Sequence, residues 1–291
     1  MPEPAGSIDR RAVRRRFDRA AAGYAQASPL EAEVGRRMLA RLDYVRLAPR
    51  RILDAGCGPS RESRALAKRY AGACVVALDL SVAQLQEARR GARGLRRLFG
   101  PPAPLVVSGG LEHMPLASAS VDLVWSNMAL HWASPMEAAL REMHRVLRPG
   151  GLAMFSTLGP DSLKELRAAA GASRVHTFAD MHDVGDALVH AGFGAPVMDM
   201  EVLTLTYPHP RAFLAELRAA GQTSALRTRC RALTGKGFRR PLQEALEAQM
   251  RDGRLAVTCE VVYGHAWRGT PRTAAGEPAI MRFDRSPHQK N

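Results

Sequence analysis

With 291 residues, 46% of them apolar and 24% charged, the chain can build one large globular domain, and its apolar runs are strand-sized, short of the roughly 20 residues a membrane-spanning helix needs. Lys and Arg number 42 against 28 Asp and Glu, an excess of +14 that suits an acidic partner, or an Arg-rich composition in general, because the basic residues run through the whole chain. Cys57, Cys74, Cys230 and Cys259 form no CxxC pair and stand at no zinc spacing with histidine, so no metal and no disulfide framework is expected.

The first residues carry charge without the apolar run of a secretory signal, and the expected location is the cytoplasm. Residues 9–24 read as an amphipathic helix, with Val13, Phe17, Ala21 and Tyr24 at helical spacing and Arg11, Arg14, Arg15, Arg16 and Arg19 between them. A second helix is expected from Leu30 to Asp43. The period then changes. A buried strand at Arg50–Ala55 is followed by a helix at Ser60–Tyr70, a strand at Ala73–Asp79 and a helix at Ser81–Arg90. Strands at Leu105–Ser108 and Val121–Ser126 come next, then a helix at Pro135–Leu147. The turn Arg148-Pro149-Gly150-Gly151 leads into a strand at Leu152–Ser156. Short apolar strands alternating with helices predict a parallel sheet covered on both faces.

Beyond Ser156 the alternation breaks. Helices are expected at Asp161–Ala170, Asp180–Ala191, Pro210–Ala220 and Pro241–Met250, and strands at Val197–Tyr207 and Leu255–Tyr263. Residues 269–291, rich in Pro, Thr, Arg and Gly, read as a disordered tail. The chain thus divides into an N-terminal helical cap (1–48), an α/β domain (49–268) with helical insertions at about 158–178 and 209–252, and the tail.

The strongest chemical signal is the loop Gly56-Cys57-Gly58 between a strand and a helix. Its glycines permit a sharp turn and close approach to a ligand, and the helix beyond presents free N–H groups. Asp79 closes the next strand, where a carboxylate can bond a ribose diol. A generic nucleotide-binding protein is the simplest alternative. The loop reads Gly-x-Gly-Pro-Ser, however, not Gly-x-Gly-x-x-Gly, and a strand pair at the chain's end looks antiparallel.

Four stretches carry a resemblance. Leu53-Asp54-Ala55-Gly56-Cys57-Gly58-Pro59 resembles motif I of the class I methyltransferases. Leu111-Glu112-His113-Met114-Pro115-Leu116 with Val121-Asp122-Leu123-Val124-Trp125-Ser126-Asn127 is similar to their adenine segment and fourth strand, and Arg145–Gly151 to the turn before their fifth. The resemblance implies a doubly wound, seven-stranded, mostly parallel α/β sheet of Rossmann-like type, with N-terminal helices and a helical lid. It also implies S-adenosylmethionine as cofactor, held by Asp54, Gly56, Cys57, Gly58, Asp79, Leu80, Leu111, Glu112, Asn127 and His131. Two departures stand out. Ser60 replaces a third glycine and is a candidate helix cap, and Gly110 replaces an acid before the adenine segment, leaving Glu112 nearest.

Arg16–Ala21 through Tyr24, Ser126–Trp132, Phe155–Arg167, Phe178–Leu188 and Pro196–Glu201 resemble the malonyl-acyl-carrier-protein O-methyltransferase family of biotin synthesis. Part of the pattern also resembles a mitochondrial complex I assembly factor. The first resemblance implies methylation of the free carboxylate of malonyl-acyl carrier protein, with no general base because a carboxylate is already ionised at neutral pH. It implies Tyr24 and Arg167 as substrate-positioning residues, and Arg14, Arg15 and Arg19 as contacts for the acidic carrier protein. No nucleic-acid or membrane partner is expected, and the expected oligomeric state is a monomer. A small-molecule or quinone-precursor methyltransferase and a non-catalytic assembly paralogue are the alternatives.

Overall fold

The computed structural model describes residues 7–91, 102–229 and 235–269. Seven strands form one sheet in the order β3-β2-β1-β4-β5-β7-β6: β1 (Arg51–Ala55), β2 (Cys74–Asp79), β3 (Leu105–Ser108), β4 (Val121–Ser126), β5 (Leu147–Leu158), β6 (Phe193–Tyr207) and β7 (Leu255–Arg268). The first five are parallel, and β7 runs antiparallel to both β5 and β6. The expected doubly wound, mostly parallel sheet is the observed one.

Alternate residues of the central strands enter opposite cores. Leu53, Val124, Ala153 and Phe155 pack with Leu140 and Met143 of α6 (Met136–Val146) and Leu188 of α8 (Met181–His190). Ile52, Leu123, Trp125, Leu152 and Met154 pack instead with Val34 and Met38 of α3 (Pro29–Arg41) and Leu66 of α4 (Arg61–Arg69). Burial on both faces is why these strands read as continuous apolar runs. Across the β5–β7 pair Phe155 faces Gly264, and a Cβ on Gly264 would lie 2.3 Å from the ring's Cζ. The ring fills the space that the glycine leaves empty.

Chain order runs outward from β1 to β2 and β3, then returns across β1 to β4. This switch opens a crevice at the C-terminal ends of β1 and β4, the position where open α/β sheets bind ligands. Helices α1 (Arg10–Ala20), α2 (Tyr24–Ala27) and α5 (Val82–Arg90) flank it. The single N-terminal helix expected over 9–24 is therefore two, separated by a turn at Ala21–Gly23. Helices α7 (Lys164–Ala170), α9 (Pro210–Ala219) and α10 (Lys236–Glu247) gather on the far ends of β6 and β7 around Tyr207, Phe213, Leu246 and Val257.

Several boundaries differ from expectation, the start of β6 at Phe193 and of α7 at Lys164 among them. Strand β5 begins at Leu147, because the turn residues pair back onto β4, with Leu147 opposite Val121. Strand β7 continues to Arg268, since its second half pairs with β5 as well as β6. Helix α10 begins at Lys236, five residues early, with Pro241 inside it. There proline removes only the bond to the Gly237 carbonyl, near the helix start. Residues 270–291, most of the expected tail, lie outside the described residues, as does Cys230.

Candidate active site

The loop after β1 is built on positive φ angles: 83° at Gly56, 50° at Gly58 and 60° at Ser60. Glycine is needed twice over at Gly56, since a Cβ there would lie 2.3 Å from the Ala129 Cβ. Ser60 takes the left-handed conformation that the missing glycine would adopt without strain. It occupies the N-cap position of α4, but its hydroxyl makes no cap hydrogen bond, so the expected side-chain cap is absent. Asp79 ties the loop to β2. Its Oδ2 accepts from Gly58 N at 2.9 Å and its Oδ1 from Ser81 N at 2.7 Å. Burial raises the Asp79 pKa to about 6 despite these two bonds.

A cleft opens above this loop, lined by Gly56, Gly58, Asp79, Leu80, Leu111, Glu112 and Asn127 of the expected set, together with Tyr24. Asn127 is fixed from both sides: its Nδ2 donates to the Glu31 carbonyl at 2.8 Å, and its Oδ1 accepts from the Ser156 hydroxyl at 2.9 Å. Glu112 accepts from Ser134 N at 3.1 Å. The Tyr24 ring lies against Gly58 and meets Phe17 edge-on at 6.0 Å between centroids. Burial, with Glu31 and Asp79 adding negative charge, pushes the Tyr24 phenol well above its usual range, so it acts as a neutral donor.

Three of the expected cofactor residues stand elsewhere. Asp54 lies beneath the loop, where it accepts a hydrogen bond from the Ser63 hydroxyl of α4, and burial lifts its pKa to about 8. Cys57 points into a small core with Ala77 and Leu85, and burial holds its thiol protonated. His131 faces a second cavity. Arg167 is also placed differently: its Nη1 donates to the Pro160 carbonyl at 2.9 Å, and its Nη2 to those of Ser162 (3.2 Å) and His176 (3.4 Å). With both Nη groups on backbone carbonyls, Arg167 ties down the loop after β5, while its buried Nε has no partner.

The second cavity, a chamber, is walled largely by apolar side chains such as Leu30, Leu158, Val175, Phe178, Phe213 and Val257. It meets the cleft at Met128 and Trp132, which line both. Met128 holds a φ of 51°, with its N–H donating to the Ser156 hydroxyl at 3.0 Å. A bulky residue in that conformation is strained, as residues at functional sites often are. Trp132 is held by aromatic edges, 5.3 Å from Phe17 and 5.0 Å from His176 between centroids. Burial and the nearby His176 lower the His131 pKa to about 3, so its ring is neutral, and its buried Nδ1 has no hydrogen-bond partner.

The chamber also contains Glu31 of α3, hydrogen-bonded to Gln222 and raised by burial to about 7, and Glu216, which accepts from the Tyr207 hydroxyl at 2.6 Å. Glu31 is legible only in retrospect. It stands three and seven residues before Val34 and Met38, on the buried stripe of α3, where a carboxylate needs a reason to be.

A family model described as a methyltransferase domain matches residues 53–155. A Methylovorus protein named malonyl-acyl-carrier-protein O-methyltransferase is 48% identical over 278 residues, covering 94% of each chain. A Laribacter hongkongensis protein of the same name is 49% identical over 271 residues, covering 91% of each. Among solved structures, the YcgJ protein of Bacillus subtilis superimposes with a TM-score of 0.59 at 15% identity, over 80% of this chain and 98% of that one, a likeness of fold alone.

Proposed function

The chain belongs to the malonyl-acyl-carrier-protein O-methyltransferase family, and on that premise we propose that it methylates the free carboxylate of malonyl-acyl carrier protein in biotin synthesis, using S-adenosylmethionine. The observation that carries this reading is the junction at Met128 and Trp132, where a glycine-floored cleft meets a largely apolar chamber. The alternatives, a small-molecule methyltransferase or a non-catalytic paralogue, are not favoured by relatives that share one enzyme's name over nearly their whole length.

S-adenosylmethionine fits the cleft. The Gly56–Gly58 turn lets a ligand approach the backbone, and Asp79 stands at the β2 end, where a carboxylate can accept from a ribose diol. Leu80, Leu111 and Val13 offer apolar contact for a base, and Asn127 and Tyr24 stand toward the chamber junction. When bound, the cofactor supplies a methyl group on a positively charged sulfur.

The protein's own task is positioning. A carboxylate oxygen must meet the methyl carbon in line with the breaking carbon–sulfur bond, whose electron pair stays on sulfur. Neither reactant needs to lose a proton, so the lack of an acid–base pair at the junction is consistent with the reaction. Holding two reactants aligned contributes up to roughly 7–11 kcal/mol. We assign His131 to this role, because a neutral imidazole with a free ring nitrogen can donate to a carboxylate from inside an apolar wall. Apolar walls also exclude the water that would stabilise the separated charges.

In this reading α1–α3 form a cap over the cleft, and α7, α9 and α10 form a lid over the chamber. The enzyme works in the cytoplasm beside its carrier; among the described residues no helix is long and apolar enough to cross a membrane. The test offers the purified protein and labelled S-adenosylmethionine to malonyl-acyl carrier protein, malonyl-CoA and free malonate. Transfer to the carrier-borne substrate, and rescue of a biotin-requiring strain lacking the methyltransferase, are expected. Measurable cofactor binding with no transfer to any acceptor overturns the reading.

A further inference from the structure

A third cavity adjoins the chamber, sharing Leu166, Arg174, Val175, Leu217, Gln222, Thr223 and Ser224 with it and no lining residue with the cleft. Its rim is basic. Arg16, Arg174, Arg211, Arg218, Arg229 and Arg239 line it, and no Asp or Glu does so among the described residues. Of these six, Arg229 pairs with Asp9 at 2.8 Å, while Arg174 sits over the Phe238 ring, its Cζ 3.8 Å from the ring centre.

Two donors here lack partners. Arg16 Nη1 and Ser224 Oγ are buried without a hydrogen bond. Burial and the charges of Arg229 and Arg15 lower the Arg16 pKa from its ordinary value, a sign that its charge lacks a counter-ion. A half-buried, crowded cation whose buried Nη1 has no acceptor is costly unless an anion completes it. The three cavities lie in series: arginine mouth, apolar chamber, cofactor cleft.

We propose that this mouth binds the phosphate of a phosphopantetheine arm, with Arg16, Arg174 and Ser224 as its donors. The assignment rests on the methyltransferase reading above. An acyl group carried on such an arm has its phosphate at one end, a slender amide chain in the middle and a thioester at the other end. That order matches mouth, chamber and junction. Guanidinium groups bind phosphate oxygens as a fork, and charge-assisted bonds of this kind are the stronger ones. The mouth therefore selects substrates by a charge remote from the reacting carboxylate. It differs from the outer face of α1, where Arg14 already pairs with Asp18 at 3.6 Å.

The test compares calorimetric affinities for 4'-phosphopantetheine and pantetheine, which differ only in the phosphate, on the full chain. The wild-type protein is expected to prefer the phosphorylated form by about tenfold or more. In Arg16→Ala and, separately, Arg174→Ala that preference shrinks toward one. Each variant is compared with itself on two ligands, so a loss of folded protein cancels, and circular dichroism confirms the fold. Equal affinity in the wild type, or a preference unchanged in both variants, overturns the proposal. Methyl transfer is measured in parallel on the malonyl thioesters of both compounds and on malonyl-acyl carrier protein. Intact phosphate preference with no transfer to any of the three overturns the methyltransferase reading and leaves the mouth standing.

Discussion

The guanidinium of Arg10 occupies the space that a side chain on residue 110 would fill: a Cβ on Gly110 would lie 2.3 Å from Arg10 Nη2 and 2.6 Å from its Cζ. The missing acid at Gly110 is thus matched by a cation from α1 that lines the same cleft. Arg10 then stands at the adenine end of the proposed cofactor site, able to stack on the base or donate to its ring nitrogens. Replacing Arg10 with Ala is expected to weaken S-adenosylmethionine binding roughly three- to tenfold, with stability changed by less than about 1 kcal/mol because Arg10 is exposed. Calorimetry and thermal melting measure the two effects, and unchanged affinity rules Arg10 out of the site.

The cofactor loop makes a graded prediction. Gly56→Ala forces an L-residue to a φ of 83° and drives a Cβ into Ala129, whose main chain holds it in place. We expect a loss of more than about 2 kcal/mol and of cofactor binding. At Gly58 the added methyl would meet only the Tyr24 ring at 3.5 Å, an ordinary contact, so about 1 kcal/mol of strain is expected. Ser60→Gly runs the other way. It relieves a left-handed serine whose buried hydroxyl has no partner, and should stabilise by up to about 1 kcal/mol without weakening the cofactor. Melting curves rank the three.

The alternation of strands and helices was readable because each central strand is buried on both faces, and β3 and β4 begin and end where their apolar runs do. Gly56, Gly58 and Asp79 were readable for a similar reason: loop, turn and acid are local in sequence. The chamber was not. Its walls gather Leu30, Leu205 and Val257 around one cavity, a grouping that the antiparallel β6–β7 pair and the helices over it create. Arg10 and Glu31 were missed because position alone gives them meaning, one opposite a glycine, the other on a buried stripe. Arg167 shows how the fold adds what residue type does not. Its residue type suits a carboxylate, but three backbone carbonyls reach it first.

Stability should decline on the alkaline side. Asp54 (about 8) and Glu31 (about 7) have folded pKa values raised by burial above their unfolded values near 4, so the native state holds protons that the unfolded chain has lost. That difference favours folding at low pH and disappears as pH rises through the folded pKa values. His131 (about 3) and His176 (about 4) are lowered by burial, so below about pH 6.5 the unfolded chain gains protons that the native state refuses, and stability is lost there. The carboxyls and histidines oppose each other on the acid side, while only the carboxyls act above neutrality. The expected profile is a melting temperature nearly level from about pH 5 to 6.5 that falls toward pH 8 and beyond. Asp54→Asn, which keeps the shape without the ionisation, should flatten the fall.

Arg167→Ala separates a structural arginine from a substrate clamp. Removing the guanidinium leaves the carbonyls of Pro160, Ser162 and His176 without their donor in a partly buried loop. A loss of about 1–3 kcal/mol is expected. Below its melting temperature the variant should keep the KM for malonyl-acyl carrier protein within about twofold, where loss of a charge-assisted clamp would raise it tenfold or more. A large rise in KM with unchanged melting would return Arg167 to the substrate site.

His131 tests the positioning argument itself. Its ring lies between Trp132, at 5.4 Å, and Phe178, at 5.6 Å, so its apolar edges are packed while Nδ1 stays unpartnered. Both Ala and Gln remove the aromatic packing, but only Gln keeps an N–H donor near the same place. If the ring acts only as a wall, the two variants lose activity together. If it orients the carboxylate, His131→Ala should lower kcat by about ten- to hundredfold, an interaction lost in the transition state, while His131→Gln recovers much of it. The pH profile adds a second reading. A ring that is neutral down to about pH 3 contributes no acid limb near 6.5, so kcat should stay level through that range in the wild type. An acid limb near 6.5 that vanishes in His131→Gln would mean that the ring works as a proton carrier instead.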